Sequence, residues 1–341
     1  MRGIGLLNNI KPSYKIGVTL SAMVVGAALT VKMTPNARAM STIAKSPVRL
    51  LTHSSAVPHP EKAYKGGFFV SDNGLAIGVA DGVGGWATQG VDPSKYSKSL
   101  MKWAKDKADQ PITDNFTPQA LMQYAYDKCK GILGSSTACI LVLKSEESKL
   151  DSANLGDSGF MVIREGRVIY RSMEQVKGFN FPYQLGAGSP DLPKDAFKIS
   201  TAVQYGDFVV VGSDGLFDNM YNEEILHTLE KGIAQAIGAE EPKQCYTITH
   251  GRRPSIENTA PSSTLMSADN LEKIEKAMRS NQFNLAEVIA KQAMQNGHSE
   301  TLVTPFAKSA RENGYRFSGG KLDDVTVLVS MIAPPKVKSS L

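Results

Sequence analysis

The sequence predicts an α+β fold built as a layered sandwich, and three observations carry that expectation. Short apolar segments dominate the early part of the body. Amphipathic segments arrive in pairs between and after them. The order lacks the regular strand–helix–strand alternation of a doubly wound parallel sheet. The chain of 341 residues is 42% hydrophobic and 21% charged, an ordinary globular balance.

Each element has a local reason. The run Leu75–Ala80 is apolar, ends at Asp81-Gly82 and suits a buried strand. Residues 136–143 form a second, β-branched run. Residues 159–164 and 167–171 flank Glu165-Gly166, a two-residue hairpin signal. Residues 207–211 run into Gly212-Ser213-Asp214-Gly215, and 325–332 alternate so weakly that both faces are expected to be buried. Thr117-Pro118 supplies an N-cap and an N1 proline for a helix carrying Leu121, Met122, Ala125, Cys129 and Ile132 at helical spacing. Asp92-Pro93 opens another over 94–108, and 223–237 and 285–295 are further helices by periodicity. Arg164 and Arg171, at the hairpin ends, are expected on an exposed edge. No internal repeat is visible.

Charge is unevenly spread. Residues 1–60 hold seven basic residues and no acid, leaving 31 basic against 33 acidic in the remainder. A body so near neutrality excludes a broad nucleic-acid footprint, so no nucleic-acid partner is expected. Lys15 and Lys32 bracket an uncharged run, Ile16–Val31. Three readings fit: a mitochondrial presequence, a secretory signal with Ala37-Arg38-Ala39 as its cleavage site, and a short membrane anchor. Residues 1–48 are therefore read as a targeting segment, with membrane association through 16–31, and 49–61 as a linker. A domain is expected over 62–333, with a polar, proline-bearing insertion at about 239–269 and a tail at 334–341. Three cysteines, Cys129, Cys139 and Cys245, form neither a disulfide framework nor a zinc pattern.

Four elements place an aspartate beside glycine at the end of an apolar run. They contain Asp81-Gly82, Gly156-Asp157, Asp214-Gly215 and Gly319-Gly320-Lys321-Leu322-Asp323-Asp324. One Asp-Gly pair is ordinary turn chemistry. Four at strand mouths are not, because converging carboxylates repel unless a cation lies between them. Hard divalent cations take oxygen ligands of this kind. Asp81, Asp214 and Asp323 are the metal cluster this pattern favours.

The motifs Asp81-Gly-Val-Gly-Gly-Trp86, Leu133-Gly-Ser-Ser-Thr-Ala138, Ala153-Asn-Leu-Gly-Asp-Ser158, Ser213-Asp-Gly-Leu-Phe-Asp218 and Gly319-Gly-Lys-Leu-Asp-Asp324 stand in the order found in metal-dependent type-2C protein serine/threonine phosphatases. Val83, Trp86 and Gly178-Phe179-Asn180 resemble the mitochondrial branch, associated with mitochondrial metabolism and coenzyme Q biosynthesis. The resemblance runs from about Lys62 to Ile332. It implies a four-layer αββα sandwich and an enzyme of the mitochondrial matrix or inner membrane acting on phosphoproteins. It implies two Mn²⁺ or Mg²⁺ ions, with Asp81 bridging them, Gly82 offering its carbonyl, and Asp214 and Asp323 completing the set. Asp157 and Asp218 match positions linked to a weaker third metal. Metal-bound hydroxide would attack phosphorus directly, with no phosphoenzyme.

Two departures stand out. Val83 replaces a histidine found after the Asp-Gly in many members, and all five histidines lie outside the motifs. The family's Gly-Glu-Asp or Gly-Asp-Asp has no counterpart in Lys65-Gly66-Gly67-Phe68-Phe69-Val70, as if about three residues were lost after Gly67. That loss weakens the second metal site and raises an alternative, a catalytically impaired scaffold or isoform with the phosphatase fold. Glu61 could stand in for the acid, Asp72 sits in a turn facing away, and Lys62 or Lys65 could fill a phosphate-binding role. Phe179 and Phe181 either wall the cleft or pack, and Arg252-Arg253-Pro254-Ser255 resembles a kinase site.

Overall fold

The computed structural model describes residues 47–242, 265–280 and 282–335. Ten principal strands are Arg49–Val57 (β1), Gly66–Val70 (β2), Ala76–Asp81 (β3), Ala138–Lys144 (β4), Lys149–Leu155 (β5), Gly159–Arg164 (β6), Arg167–Arg171 (β7), Phe197–Ala202 (β8), Phe208–Gly212 (β9) and Val325–Ala333 (β10). Seven helices are Ser94–Ala108 (α1), Pro118–Lys128 (α2), Asp214–Phe217 (α3), Asn222–Ile237 (α4), Ala268–Arg279 (α5), Leu285–Gly297 (α6) and Pro305–Glu312 (α7). The strands form two five-stranded antiparallel sheets, ordered β1-β10-β9-β6-β7 and β8-β5-β4-β3-β2.

The sheets lie face to face between helical layers, which is the expected αββα sandwich. Ile140, Val142, Phe160, Val162, Val209, Val211, Leu328 and Ile332 share one core, reached also by Leu100 and Met101 of α1 and Leu121 and Met122 of α2. The opposite face of β9 and β10, with Phe208, Val210, Val327, Val329 and Met331, packs on Ile225 and Leu229 of α4 and Ile289 of α6. β10 is thus buried on both faces, as its weak alternation predicts. Each large aliphatic side chain buried there contributes about 1.5–3 kcal/mol. The Thr117 hydroxyl caps α2 by accepting from the Ala120 N–H, and that helix stops at Lys128, short of Ile132. Asn284 likewise caps α6, accepting from the Ala286 and Glu287 N–H groups.

The structure corrects the reading of 49–61 as linker: β1 occupies 49–57 and pairs with the whole of β10, from Arg49 opposite Ala333 to Val57 opposite Val325. Its polar residues are consumed by neighbours. Thr52 and Ser330 hydroxyls bond at 2.8 Å, Asn284 Nδ2 donates to the Ser54 carbonyl, and His53 Nδ1 accepts from the Leu285 N–H. Arg164 is also not a solvated edge charge, because it clamps the buried Asp207 carboxylate through Nε and Nη2 at 2.8 and 2.7 Å. Arg171 lies 3.6 Å over the Phe217 ring and donates to Ser172. Helix α5 takes up the last residues of the expected insertion, whose residues 243–264, with Arg252–Ser255, lie outside the described residues, as does the run 16–31. Among the described residues no helix is long and apolar enough to cross a membrane.

One close approach matters for the site. β2 enters its sheet through Gly66 and Gly67, flat against α1 and β10. A Cβ on Gly67 would stand 2.7 Å from the Ser97 carbonyl oxygen, and one on Gly66 2.6 Å from the Tyr64 hydroxyl and 2.8 Å from the Thr326 hydroxyl.

Candidate active site

Strand direction gathers the acids. β3 ends at Asp81, β5 runs out just before Asp157, β9 stops two residues before Asp214, and β10 begins directly after Asp323-Asp324. Register aligns these ends: Gly212 faces both Val327 and Gly159, and Gly66 faces Asp81. Asp214 opens the single-turn helix α3, which presents Asp218 just beyond its last residue. The aspartates therefore meet at one edge of the sandwich, from four separate segments.

Two ammonium groups occupy the space between them. Lys65 Nζ lies 3.1 and 3.0 Å from the two oxygens of Asp81 and 2.7 Å from Asp323 Oδ1. Lys321 Nζ lies 2.5 Å from Asp214 Oδ2, 2.7 Å from Asp218 Oδ2 and 3.7 Å from Asp323 Oδ2. Asp323 thus spans both cations. Asp157 makes no such contact but feels the Asp214 and Asp218 charges. Gly82 follows Asp81 and donates its N–H to the Lys65 carbonyl at 3.1 Å.

Burial and mutual charge set the protonation of this cluster. Burial pushes Asp81 well above the ordinary carboxylate range; Lys65 opposes this, and Asp214 and Asp323 add to it. Burial likewise raises Asp157, helped by Asp214 and Asp218, and lifts Asp218 to about 7 against the pull of Lys321. Asp214 moves the other way: burial would raise it, but Lys321 and Lys65 more than offset this and hold it below the usual range. For both ammoniums burial favours the neutral amine, yet the surrounding carboxylates win and raise their pKa values.

Asp324 has a different task. Its buried carboxylate accepts the His59 N–H at 2.6 Å and the Lys65 N–H at 2.7 Å, which pins the entrance of β2 beside the cluster. The Ser97 hydroxyl completes that anchor by donating to the Lys65 carbonyl at 2.5 Å. Sequence reasoning missed both this anchor and the roles of the two lysines. Lys321 lies inside the Gly319–Asp324 motif and Lys65 just ahead of β2, and the fold closes carboxylates around both. Lys62 and Glu61 are exposed, and Asp72 faces away, paired with Lys105 at 2.5 Å. Phe179 packs rather than standing alone. It stacks on Tyr315 and meets Phe306, whose ring centroid lies 5.2 Å from Lys321 Nζ. Phe181 is half exposed, under Lys177.

The donor chemistry fits a hard divalent cation, since every side chain at the cluster that can ligate is a carboxylate. Among the described residues, however, no three ligating side chains are already gathered as a metal set, and the ammoniums hold the positions between them.

The αββα sandwich is shared with a solved protein phosphatase. It matches the structure of the photosystem II phosphatase PBCP with a TM-score of 0.62 and 27% identity, covering 85% of this chain and all of that one. No family model matches the chain. A probable protein phosphatase 2C of Arabidopsis thaliana is 36% identical over 297 residues, 86% of this chain and 61% of that relative. The chain thus spans less than two thirds of that plant protein. The Homo sapiens protein phosphatase PTC7 homolog is 36% identical over 269 residues, 75% of each chain. The chain belongs to the type-2C protein phosphatase family and resembles its PTC7 members.

Proposed function

We propose that the chain is a divalent-metal-dependent protein serine/threonine phosphatase that hydrolyses phosphomonoesters on mitochondrial phosphoproteins. The observation that carries this reading is the convergence of Asp81, Asp214, Asp218 and Asp323 on buried cationic groups at one sandwich edge. Asp81, Asp214 and Asp323 would hold Mn²⁺ or Mg²⁺, with Gly82, Asp157 and Asp218 beside them. Such an ion, when bound, supplies Lewis-acid polarisation of a phosphoryl oxygen and lowers the pKa of water. The chain does the rest. The carboxylates fix the charge pattern, Asp324 and Ser97 hold the strand entrance in place, and Lys321 offers a positive head beside the aromatic group formed by Phe179, Phe306, Phe317 and Tyr315. The exposed Tyr315 borders solvent there and offers a substrate backbone an apolar rest.

Mitochondrial residence and substrates in mitochondrial metabolism, including coenzyme Q biosynthesis, extend this proposal. Their support is the basic, acid-free amino-terminal segment and the resemblance of the Val83, Trp86 and Phe179 motifs. Fractionation with the full chain tests residence, and carbonate extraction tests membrane association through residues 16–31.

A second reading is a phosphoprotein-binding scaffold with impaired turnover. One observation favours it: Lys65 Nζ sits on both oxygens of Asp81. Hydrolysis of a phosphopeptide with and without Mn²⁺ separates the two. An active enzyme shows Mn²⁺-dependent release of phosphate that Asp214→Asn abolishes. A silent parent that gains orders of magnitude when Glu-Asp-Ala is inserted after Gly67 establishes the scaffold instead.

A further inference from the structure

We propose that the outer face of the α1–α2 layer is a membrane-docking surface that rests on anionic phospholipid headgroups. The surface is separate from the acidic cluster and uses none of its residues.

The two helical layers differ in charge. Helices α1 and α2 carry six lysines and two aspartates, whereas α4, α5 and α6 on the opposite side carry five basic and seven acidic residues. The acids beside the first layer are already engaged. Asp106 pairs with Lys102, Asp72 and Asp109 with Lys105, and Asp127 with Lys130. Asp92, ahead of α1, accepts the Ser94 N–H at 2.9 Å and feels Lys95 and Lys98 only weakly. Among the described residues, Lys95, Lys98, Lys107 and Lys128 have no carboxylate within salt-bridge distance.

Aromatic rings line the same face. Trp103 and Tyr124, both half-buried, lie beneath three ammonium groups and join α1 to α2. Lys102 and Lys128 stand 4.3 and 5.6 Å from the Trp103 centroid, and Lys107 and Lys128 stand 5.6 and 5.5 Å from the Tyr124 centroid. Lys98 lies 5.5 Å from the Tyr64 centroid. Amphipathic rings beside unpaired lysines suit the headgroup level of a bilayer, where the rings take the apolar side and the ammoniums the phosphates.

A bilayer is favoured over an acidic protein by the place where the chain enters the domain. The Val48 N–H donates to the Ser145 hydroxyl and the Leu50 N–H to the Gly74 carbonyl, each at 2.8 Å. The turn before Gly74 is tied to the end of α1: Asn73 Nδ2 donates to the Ala108 carbonyl at 2.9 Å, and Asp109 accepts the Asp72 N–H at 2.7 Å. The chain ahead of Val48, which holds the uncharged run 16–31, therefore joins the fold at the rim of the basic face. The other end of α1 meets the acidic cluster, where Ser97 holds the Lys65 carbonyl. Helix α1 spans roughly 20 Å. Docking along it sets the cluster near the membrane plane at that distance from the junction.

Sedimentation of the full chain with vesicles tests this. Wild type should bind vesicles containing phosphatidylglycerol more tightly than vesicles of phosphatidylcholine alone, and high salt should remove the difference. A Lys98→Gln/Lys107→Gln/Lys128→Gln variant should lose about fivefold per lysine, about a hundredfold in all, on the anionic vesicles and nothing on the neutral ones. Far-UV circular dichroism and a cooperative melt establish that it is folded. Trp86→Phe leaves Trp103 as the sole tryptophan, and brominated phospholipid in the anionic vesicles should quench its emission. Equal binding of wild type and the folded triple variant to anionic vesicles overturns the inference, as does a Trp103 that brominated lipid leaves bright. Equal wild-type binding to both vesicle types overturns it while leaving run 16–31 as a membrane element; binding to neither overturns both. Trp103 emission that shifts with polyglutamate and not with vesicles assigns the face to an acidic protein and overturns the inference too. Should the triple variant not fold, Trp103 quenching decides the matter.

Discussion

Replacing Asp324 by asparagine removes a charge that never touches solvent and tests how the entrance to β2 is held. The carboxylate is 1% exposed and accepts two backbone N–H groups, from His59 at 2.6 Å and Lys65 at 2.7 Å. An asparagine keeps one acceptor oxygen and turns an NH₂ toward the second N–H. The orphaned donor costs about 1–3 kcal/mol, and loss of charge assistance on the remaining bond costs about 1 kcal/mol more. The sum, roughly 3 kcal/mol, is a large share of the ~5–15 kcal/mol that holds a domain folded. At about 2 °C per kcal/mol for a domain of this size, Tm should fall by about 6 °C. Asp72→Asn is the control. That aspartate's side chain is 82% exposed and pairs only with Lys105 and the surface around it, so its loss should move Tm by no more than about 1 °C. Matching melts for Asp324→Asn and Asp72→Asn in scanning calorimetry would refute the anchor.

His53 accepts the Leu285 N–H at Nδ1, so its proton sits on Nε2, which donates to the Met278 carbonyl at 2.8 Å. Burial lowers its pKa from 6.5, so the unfolded chain takes up a proton near 6.5 while the folded one resists until lower pH, and stability falls as pH drops through that window. Wild-type Tm should therefore fall more between pH 7.5 and 5.5 than that of His53→Gln (pH values chosen about one unit either side of the free histidine); parallel profiles would sink this. Gly215→Ala would drive a Cβ into the Asp324 carbonyl oxygen, and about 3 kcal/mol or more of destabilisation should appear in urea unfolding. An unchanged midpoint means Gly215 of α3 does not lie against the Asp324 backbone at the entry to β10. Leu50→Ala, at a position 5% exposed and opposite Ile332, should cost about 2–3 kcal/mol in the same assay, whereas a disordered linker would register nothing.

Much of the fold could be read from pattern. The helix opened by Thr117-Pro118 and the Glu165-Gly166 hairpin depend on neighbours a few residues apart, so their signals are local. The double burial of β10 showed in its failure to alternate. β1 escaped because its residues are polar for reasons nearly 280 positions away, as with Thr52 and Ser330, and a linker has the same composition. α5 and α7 escaped because each is short and charged on its outer face. At the site, the aspartates announced themselves by position beside glycine. Lys65 and Lys321 did not, because a lysine in a loop reads as solvated until the fold surrounds it with carboxylates. Asp324 was invisible as an anchor for a related reason: two adjacent aspartates look alike until one faces the cluster and the other the backbone.

The tight seat of Gly66 and Gly67 restricts how this protein could change. Neither position can grow a side chain without displacing Tyr64, Thr326 or the backbone of α1. A carboxylate cannot be added to the cluster from those two places by exchange. From this strand, position 65 is the door left open, and a lysine codon lies one nucleotide from a glutamate codon. A lineage or an engineer that swaps that residue reverses the local sign in a single step. The glycines thus leave the residue ahead of the strand as the place where the sign of this edge can change.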